Sequence, residues 1–300
     1  MHGTTPGLRV HASARLADLE RQRPEWQAWL RLLGEAERAL DDAGWRTAID
    51  VANLGMVPGS SADAPLLHGR ALELDAGRVQ RLVRRLGSAA GLRNVTGAAS
   101  LGRYRPSPDE AMRLLAAAVR QDVAEIRAFA DAAEIDRGAL TSIANLSAFP
   151  VLQSCGRLLE GRLPRFWPHG YCPICAAWPT LAERRGLDRT RRLRCGRCGG
   201  EWQVQWLCCI YCGEREHEHL GALMPEEGGE RLNVETCVSC RGYIKSVATL
   251  QRIPAFELLL QDLETVELDL VALDRGYGRP EESGFSLDLQ VADRASGTVW

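Results

Sequence analysis

Lysine is almost missing from this chain: of 37 basic residues only Lys245 is a lysine, and the rest are arginines. With alanine and glycine abundant as well, that skew reads as base composition more than as a binding surface. An excess of charge is missing too, and a formal net charge of -2 gives no general pull toward a polyanion. No apolar run approaches the ~20 residues that a membrane span needs. The opening stretch, MHGTTPGLRVHASARL, lacks the apolar centre of a secretory signal, so a cytoplasmic setting in which thiols stay reduced is expected. Neither a glycine-rich phosphate loop nor a nucleophile-and-base signature is present, which points away from an enzyme. What remains is an ordinary globular composition, 45% hydrophobic and 25% charged, on a 300-residue chain long enough for two domains.

Cysteine is the exception. Nine of the ten cysteines fall between positions 172 and 240. Eight of them form four Cys-x-x-Cys pairs: Cys172 with Cys175, Cys195 with Cys198, Cys209 with Cys212, and Cys237 with Cys240. Two thiolates three residues apart grip one ion from a single turn, and a tetrahedral site then needs a second such knuckle. Pairing in chain order predicts two metal sites, Cys172, Cys175, Cys195 and Cys198 in one, Cys209, Cys212, Cys237 and Cys240 in the other. A disulfide framework requires an oxidising compartment, and a catalytic dithiol requires one such motif rather than four. Spacing alone leaves iron and zinc both open, since each accepts four thiolates in a tetrahedron.

The residue after each second cysteine is informative. Gly199 and Gly213 suit a backbone that turns its N–H groups toward sulfur, and Pro173 stiffens the first knuckle. Ala176 and Arg241 stand at the equivalent places, where a positive φ costs roughly 1 kcal/mol or more. Two filled four-thiolate sites, each contributing two negative charges, make the net charge more negative and weaken a nucleic-acid reading further.

Two cysteines are left over. The stretch EWQVQWLCCI, 201–210, alternates like a strand, which groups Cys208 with Trp202 and Trp206 as a small buried residue while Cys209 opens a knuckle. Cys155 reads as a helical core thiol. His217 and His219 read as solvated loop histidines, the two sites being already filled.

Upstream, apolar residues recur at helical spacing from Leu16 to Leu40, with a break expected at Pro24. SPDE predicts a helix start, with Ser107 as N-cap, Pro108 in first position and Glu110 closing a capping box; Met112, Leu115, Val119, Val123, Ile126 and Ala130 then continue one face. Shorter helical patterns run over 76–87 and 137–162. Downstream, 254–276 predicts one amphipathic helix burying Phe256, Leu259, Leu263, Val266, Leu270 and Leu273, with Glu257, Asp262, Glu264 and Asp269 solvated. Residues from Pro280 onward read as loosely ordered. The segment 184–197 holds seven arginines against one aspartate, either a solvated ribbon loop or a grip for an acidic partner.

The expected fold class is therefore α+β: an all-helical N-terminal domain over 1–165, two tandem rubredoxin-like or zinc-ribbon modules over 166–246, and a C-terminal helix and tail over 247–300 packing on the rest. YCPIC at 171–175, RRLRCGRCGGEW at 191–202, CIYCG at 209–213, ETCVSCRGYIK at 235–245 and the closing DLETVELDLVALDRGYGR together resemble the formate dehydrogenase accessory proteins of the FdhE type. Ala176, where that family commonly has glycine, and Trp206, where arginine is expected, depart from the pattern. The resemblance implies a cytoplasmic, non-enzymatic maturation factor that binds the catalytic subunit of a respiratory formate dehydrogenase before export. It also implies rubredoxin-type iron at the eight paired cysteines, with zinc as the alternative, and leaves room for self-association. Two other readings stand beside it: an iron-thiolate redox or oxygen-sensing protein, and a zinc-ribbon nucleic-acid binder using the 184–197 arginines.

Overall fold

The computed structural model describes residues 6–47, 63–90, 98–225 and 231–300; the first five residues of the opening stretch read above lie outside them. The chain divides into two compact units, one of Met1–Gly59, Leu67–Leu158 and Asp288–Trp300, the other of Ser60–Leu66 and Leu159–Leu287.

The first unit is helical. Helix α1 (Pro6–Gln22) stops short of Pro24, which opens a single 3-10 turn before α2 (Gln27–Ala39), because proline cannot continue the preceding helix. After strand β1 (Arg70–Leu74) come α3 (Ala76–Ala90), the short α4 (Ala98–Leu101), α5 (Pro108–Arg120), α6 (Val123–Ala132) and α7 (Arg137–Leu159). The start of α5 is the one expected: Ser107 Oγ accepts from the Glu110 N–H at 3.2 Å and Glu110 Oε2 accepts from the Ser107 N–H at 2.7 Å. Every residue from Leu114 to Val119 is buried, and α5 packs against α3, α6 and the strand described next, so it forms the centre of the unit. The apolar stripe does not continue as one helix. Gln121 takes the left-handed conformation (φ 63°) and Asp122 caps α6, its Oδ1 accepting from the Glu125 N–H at 2.9 Å. The last residues are ordered as well: β8 (Leu289–Asp293) pairs in parallel with β1, Leu72 opposite Val291.

The second unit is built on a six-stranded sheet of order β4-β3-β2-β7-β6-β5. Its strands are β2 (Leu181–Arg185), β3 (Thr190–Arg194), β4 (Glu201–Gln203), β5 (Leu220–Leu223), β6 (Leu232–Cys237) and β7 (Tyr243–Thr249). Each half is an antiparallel three-stranded ribbon, and the halves join where β2 and β7 run parallel, Ala182 opposite Ser246 through Arg185 opposite Thr249. The predicted tandem modules thus share one continuous sheet.

The closing helix is two helices, α8 (Ala255–Glu264) and α9 (Val266–Asp274), broken at Thr265. The break reverses part of the expected facing. Phe256, Leu258 and Leu260 are buried, whereas Leu270 and Leu273 lie more than half exposed. Asp262 and Asp269 turn inward to meet Lys245, the chain's lone lysine, whose ammonium is buried and donates to Asp269 Oδ2 at 2.6 Å and to the Asp262 carbonyl at 2.7 Å. Burying an ammonium requires such partners, which is what bends the acidic side of this segment toward β7.

Candidate metal centres

The four Cys-x-x-Cys turns share one backbone form. In each, the N–H of the first cysteine donates to the carbonyl five residues on: Cys172 to Ala177 at 2.8 Å, Cys195 to Gly200 at 3.0 Å, Cys209 to Glu214 at 2.8 Å and Cys237 to Gly242 at 3.0 Å. The residue after each second cysteine is left-handed, with φ of 63° at Ala176, 74° at Gly199, 77° at Gly213 and 57° at Arg241. Two of the four turns therefore carry a side chain where glycine is the unstrained choice. Arg241 has compensation, since its guanidinium donates to the carbonyls of Arg275 (2.8 Å) and Gly276 (3.2 Å) at the end of α9 and lies 4.4 Å from the centre of the Tyr277 ring.

These turns gather the sulfurs into two groups, Cys172, Cys175, Cys195 and Cys198, and Cys209, Cys212, Cys237 and Cys240, with the Sγ atoms of each group within 4.8 Å of one another. The closest cross-knuckle separations are 3.4 Å (Cys172 to Cys198), 3.5 Å (Cys175 to Cys195), 3.6 Å (Cys209 to Cys240) and 3.8 Å (Cys212 to Cys237). A disulfide needs ~2.05 Å. A tetrahedron of sulfurs about 2.3 Å from a central ion has edges of about 3.8 Å, so the arrangement fits a four-thiolate ion. Backbone N–H groups aim at the sulfurs, Ile174 at Cys172 and Gly242 at Cys240, both at 3.4 Å, a pattern that stabilises thiolate.

Acidity divides each group in the same way. Burial pushes the thiols of Cys172 and Cys198 well up, while Cys195 collects hydrogen bonds from Cys172, Cys175 and Cys198 and is held well down. In the second group burial raises Cys209 and brings Cys240 to about 11; Cys237 is lowered despite its burial, by the N–H groups of Cys240 and Ser239. Four cysteines this close could hold a cation at their centre as thiolates, and the donor set is soft and suits zinc or iron.

The supports around the centres are ionic. Glu183 and Arg194, both fully buried, form a salt bridge across the β2–β3 hairpin. Glu183 also accepts from Arg185 Nε (2.9 Å) and the Ile253 N–H (3.2 Å), and Arg194 donates to the Ile253 carbonyl at 2.8 Å. Arg252 donates to the Gly199 carbonyl of the second knuckle at 2.9 Å and pairs with Glu201 at 3.0 Å. Burial raises the Glu201 carboxyl, but Arg185, Arg252 and Arg194 outweigh it and hold the group low. Arg191 ties the modules together, donating to the carbonyls of Gln205 (2.9 Å) and Cys208 (3.1 Å) and pairing with Glu235 at 2.5 Å. Of the seven arginines in 184–197, only Arg189 is exposed. The segment read as a solvated loop or an acidic-partner grip is a solvated loop only at its turn, Leu187 to Arg189, and its strands turn most of the arginines into the fold.

Two further readings change. The strand predicted over 201–210 ends at Gln203, so Cys208 does not sit among buried tryptophans: Trp206 is 52% exposed and Cys208 half-buried, its thiol 3.6 Å from the Cys209 carbonyl. Cys155 is fully buried in α7, as expected, and His217 and His219 are exposed, with His219 Nδ1 2.9 Å from Glu214 Oε2. Sequence reasoning assigns no structural role to Lys245 or Arg252, and it offers Arg191 only as one of the arginines of 184–197.

No family model matches the chain. It is 36% identical over 111 residues to an FdhE homolog of Stutzerimonas stutzeri, a match covering 36% of this chain and 35% of the relative. To the FdhE homolog of Aquifex aeolicus it is 28% identical over 120 residues, 39% of this chain and 42% of the relative. In these matches the chain spans between about a third and two fifths of the relatives' length. The crystal structure of the FdhE protein from Pseudomonas aeruginosa superposes with a TM-score of 0.60 at 21% identity, over 96% of this chain and 98% of that one, and so shares its fold. The chain thus shows local sequence similarity to several FdhE homologs and a fold in common with an FdhE protein over nearly its whole length.

Proposed function

We propose that this chain is an accessory protein for a formate dehydrogenase: it binds the catalytic subunit in the cytoplasm and supports its assembly before export, without catalysing a reaction itself. The observation that carries this reading is the pair of four-cysteine clusters on a fold shared with an FdhE protein. In this account residues 1–165 are a helical docking body, 166–246 hold the metal modules, and 247–300 close the structure. Cys172, Cys175, Cys195 and Cys198 hold one ion, and Cys209, Cys212, Cys237 and Cys240 the other. A bound ion supplies a cross-link between knuckles and, where it is iron, the capacity to take or give one electron. The chain's own residues fix the spacing of the sulfurs, aim N–H groups at them and brace the turns through Arg252 and Arg241.

Tagged protein expressed with the catalytic subunit of a formate dehydrogenase should retain that subunit through affinity purification, and a clean failure to do so under anaerobic conditions sinks the proposal. The redox reading gains support from the second cluster, two of whose cysteines face solvent. Identical metal state and partner affinity in aerobic and anaerobic preparations would remove it. The nucleic-acid reading loses support, since four of the seven arginines it needs, Arg185, Arg191, Arg192 and Arg194, are ion-paired within the sheet.

A further inference from the structure

The two cysteine groups agree in geometry and differ in surroundings. In the first, Cys172, Cys175 and Cys195 are fully buried and Cys198 is 2% exposed. In the second, Cys209 and Cys237 are buried at 8% and 2%, but Cys212 and Cys240 are exposed. Cavities repeat the contrast. A cavity of about 270 Å³ is lined by Cys208, Cys209 and Cys237 together with Arg191, Trp206 and Ile244, and one of about 550 Å³ is lined by Cys208 and Cys209 with Phe166, Trp178, Arg191 and Arg215. Neither reaches a cysteine of the first group. The second group is thus approached from outside at Cys212 and Cys240 and from behind at Cys209 and Cys237. Its rim is apolar and exposed, with Trp206 at 52%, Leu207 at 56% and Val238, inside the last knuckle, at 44%.

From this asymmetry, and resting on the metal reading above, we infer that the two sites have different roles. The first is a permanent cross-link of the fold. The second is an exchangeable site, from which a thiophilic cation is taken by an external chelator or thiol while the first stays filled. In the exchange the competing ligand takes the cation, and the four thiolates left behind draw protons from solvent. Ligand exchange at a metal thiolate requires the incoming group to reach the ion, so a buried site must wait for local opening and an open one need not.

Cobalt loaded into the full-length protein tests this, because tetrahedral cobalt thiolate absorbs in the visible. With excess EDTA the absorbance should fall in two phases, the second slower by at least about tenfold, since escape from the buried site depends on local opening. The Cys212→Ser, Cys240→Ser double variant should show only the slow phase. Because that variant also removes ligands, iodoacetamide labelling of the unmodified protein, read by mass spectrometry during the EDTA challenge, provides an independent assignment: Cys209, Cys212, Cys237 and Cys240 should be labelled with the fast phase, and the first four cysteines only with the slow one. A single phase, or first-group cysteines labelled with the fast phase, overturns the division while leaving two metal sites standing. A chain that takes up no cobalt overturns the metal reading, and the division with it.

Discussion

Ala176 holds a left-handed backbone in a fully buried knuckle, at φ 63°, with no side-chain bond to offset the strain. Ala176→Gly relieves a cost of about 1 kcal/mol, partly offset by the greater freedom of glycine in the unfolded chain. The variant should raise the urea midpoint of the metal-loaded protein, whereas Arg241→Gly, which forfeits the bonds to Arg275 and Gly276, should not. A lowered midpoint for Ala176→Gly would refute the strain argument. The buried Glu183–Arg194 pair gives a second test at this scale. Glu183→Gln leaves the buried Arg194 with only Glu201, at 3.9 Å, as a counterion and should destabilise by roughly 3–5 kcal/mol, whereas Arg194→Met leaves Glu183 paired with Arg185 and should cost less. Replacing both should cost clearly less than the sum of the two, and strict additivity in that double-mutant cycle would contradict the coupling.

Elements were legible in the sequence wherever the signal was local. The α5 start, the Pro24 break and all four knuckles follow from residues within a few positions of one another, and each is found. What could not be read depended on distant partners. Strand β1 has only a five-residue alternation of its own, and its mate β8 comes more than two hundred residues later, in a segment that read as loose. The join of β2 to β7, with Ala182 opposite Ser246, is also non-local. The facing of α9 depended on a buried lysine that no helical period reveals. The α5 cap gives this scale its prediction. Ser107→Ala should destabilise by about 1 kcal/mol. The Ser107 N–H holds the Glu110 carboxyl below its ordinary 4.5, so the contribution of this ion is complete above that value and fades as pH falls through the lowered one. The stability gap between wild type and a Glu110→Gln variant should accordingly narrow below pH 4.5, and a gap that widens there would exclude this cause.

Over the whole molecule, the two compact units depend on different forces. The unit containing the helices α1 to α7 buries a large apolar core, from Leu30 and Leu72 to Met112 and Ile143. The second unit builds its sheet between two cysteine clusters and a set of buried ion pairs, an arrangement in which a four-thiolate ion contributes on the order of 10 kcal/mol to folding. Complete metal removal should therefore abolish the strand signal of the second unit in circular dichroism while most of the helical signal persists. Equal loss of both would mean that the helices depend on the metal as much as the sheet does. The most direct test of the account is elemental analysis of anaerobically purified protein, paired with its intact mass under native conditions. Two ions of zinc or iron per chain are expected, with all eight paired cysteines shielded from alkylation until the metal is stripped. A metal-free chain whose eight cysteines react at once, or are joined as disulfides, would contradict it.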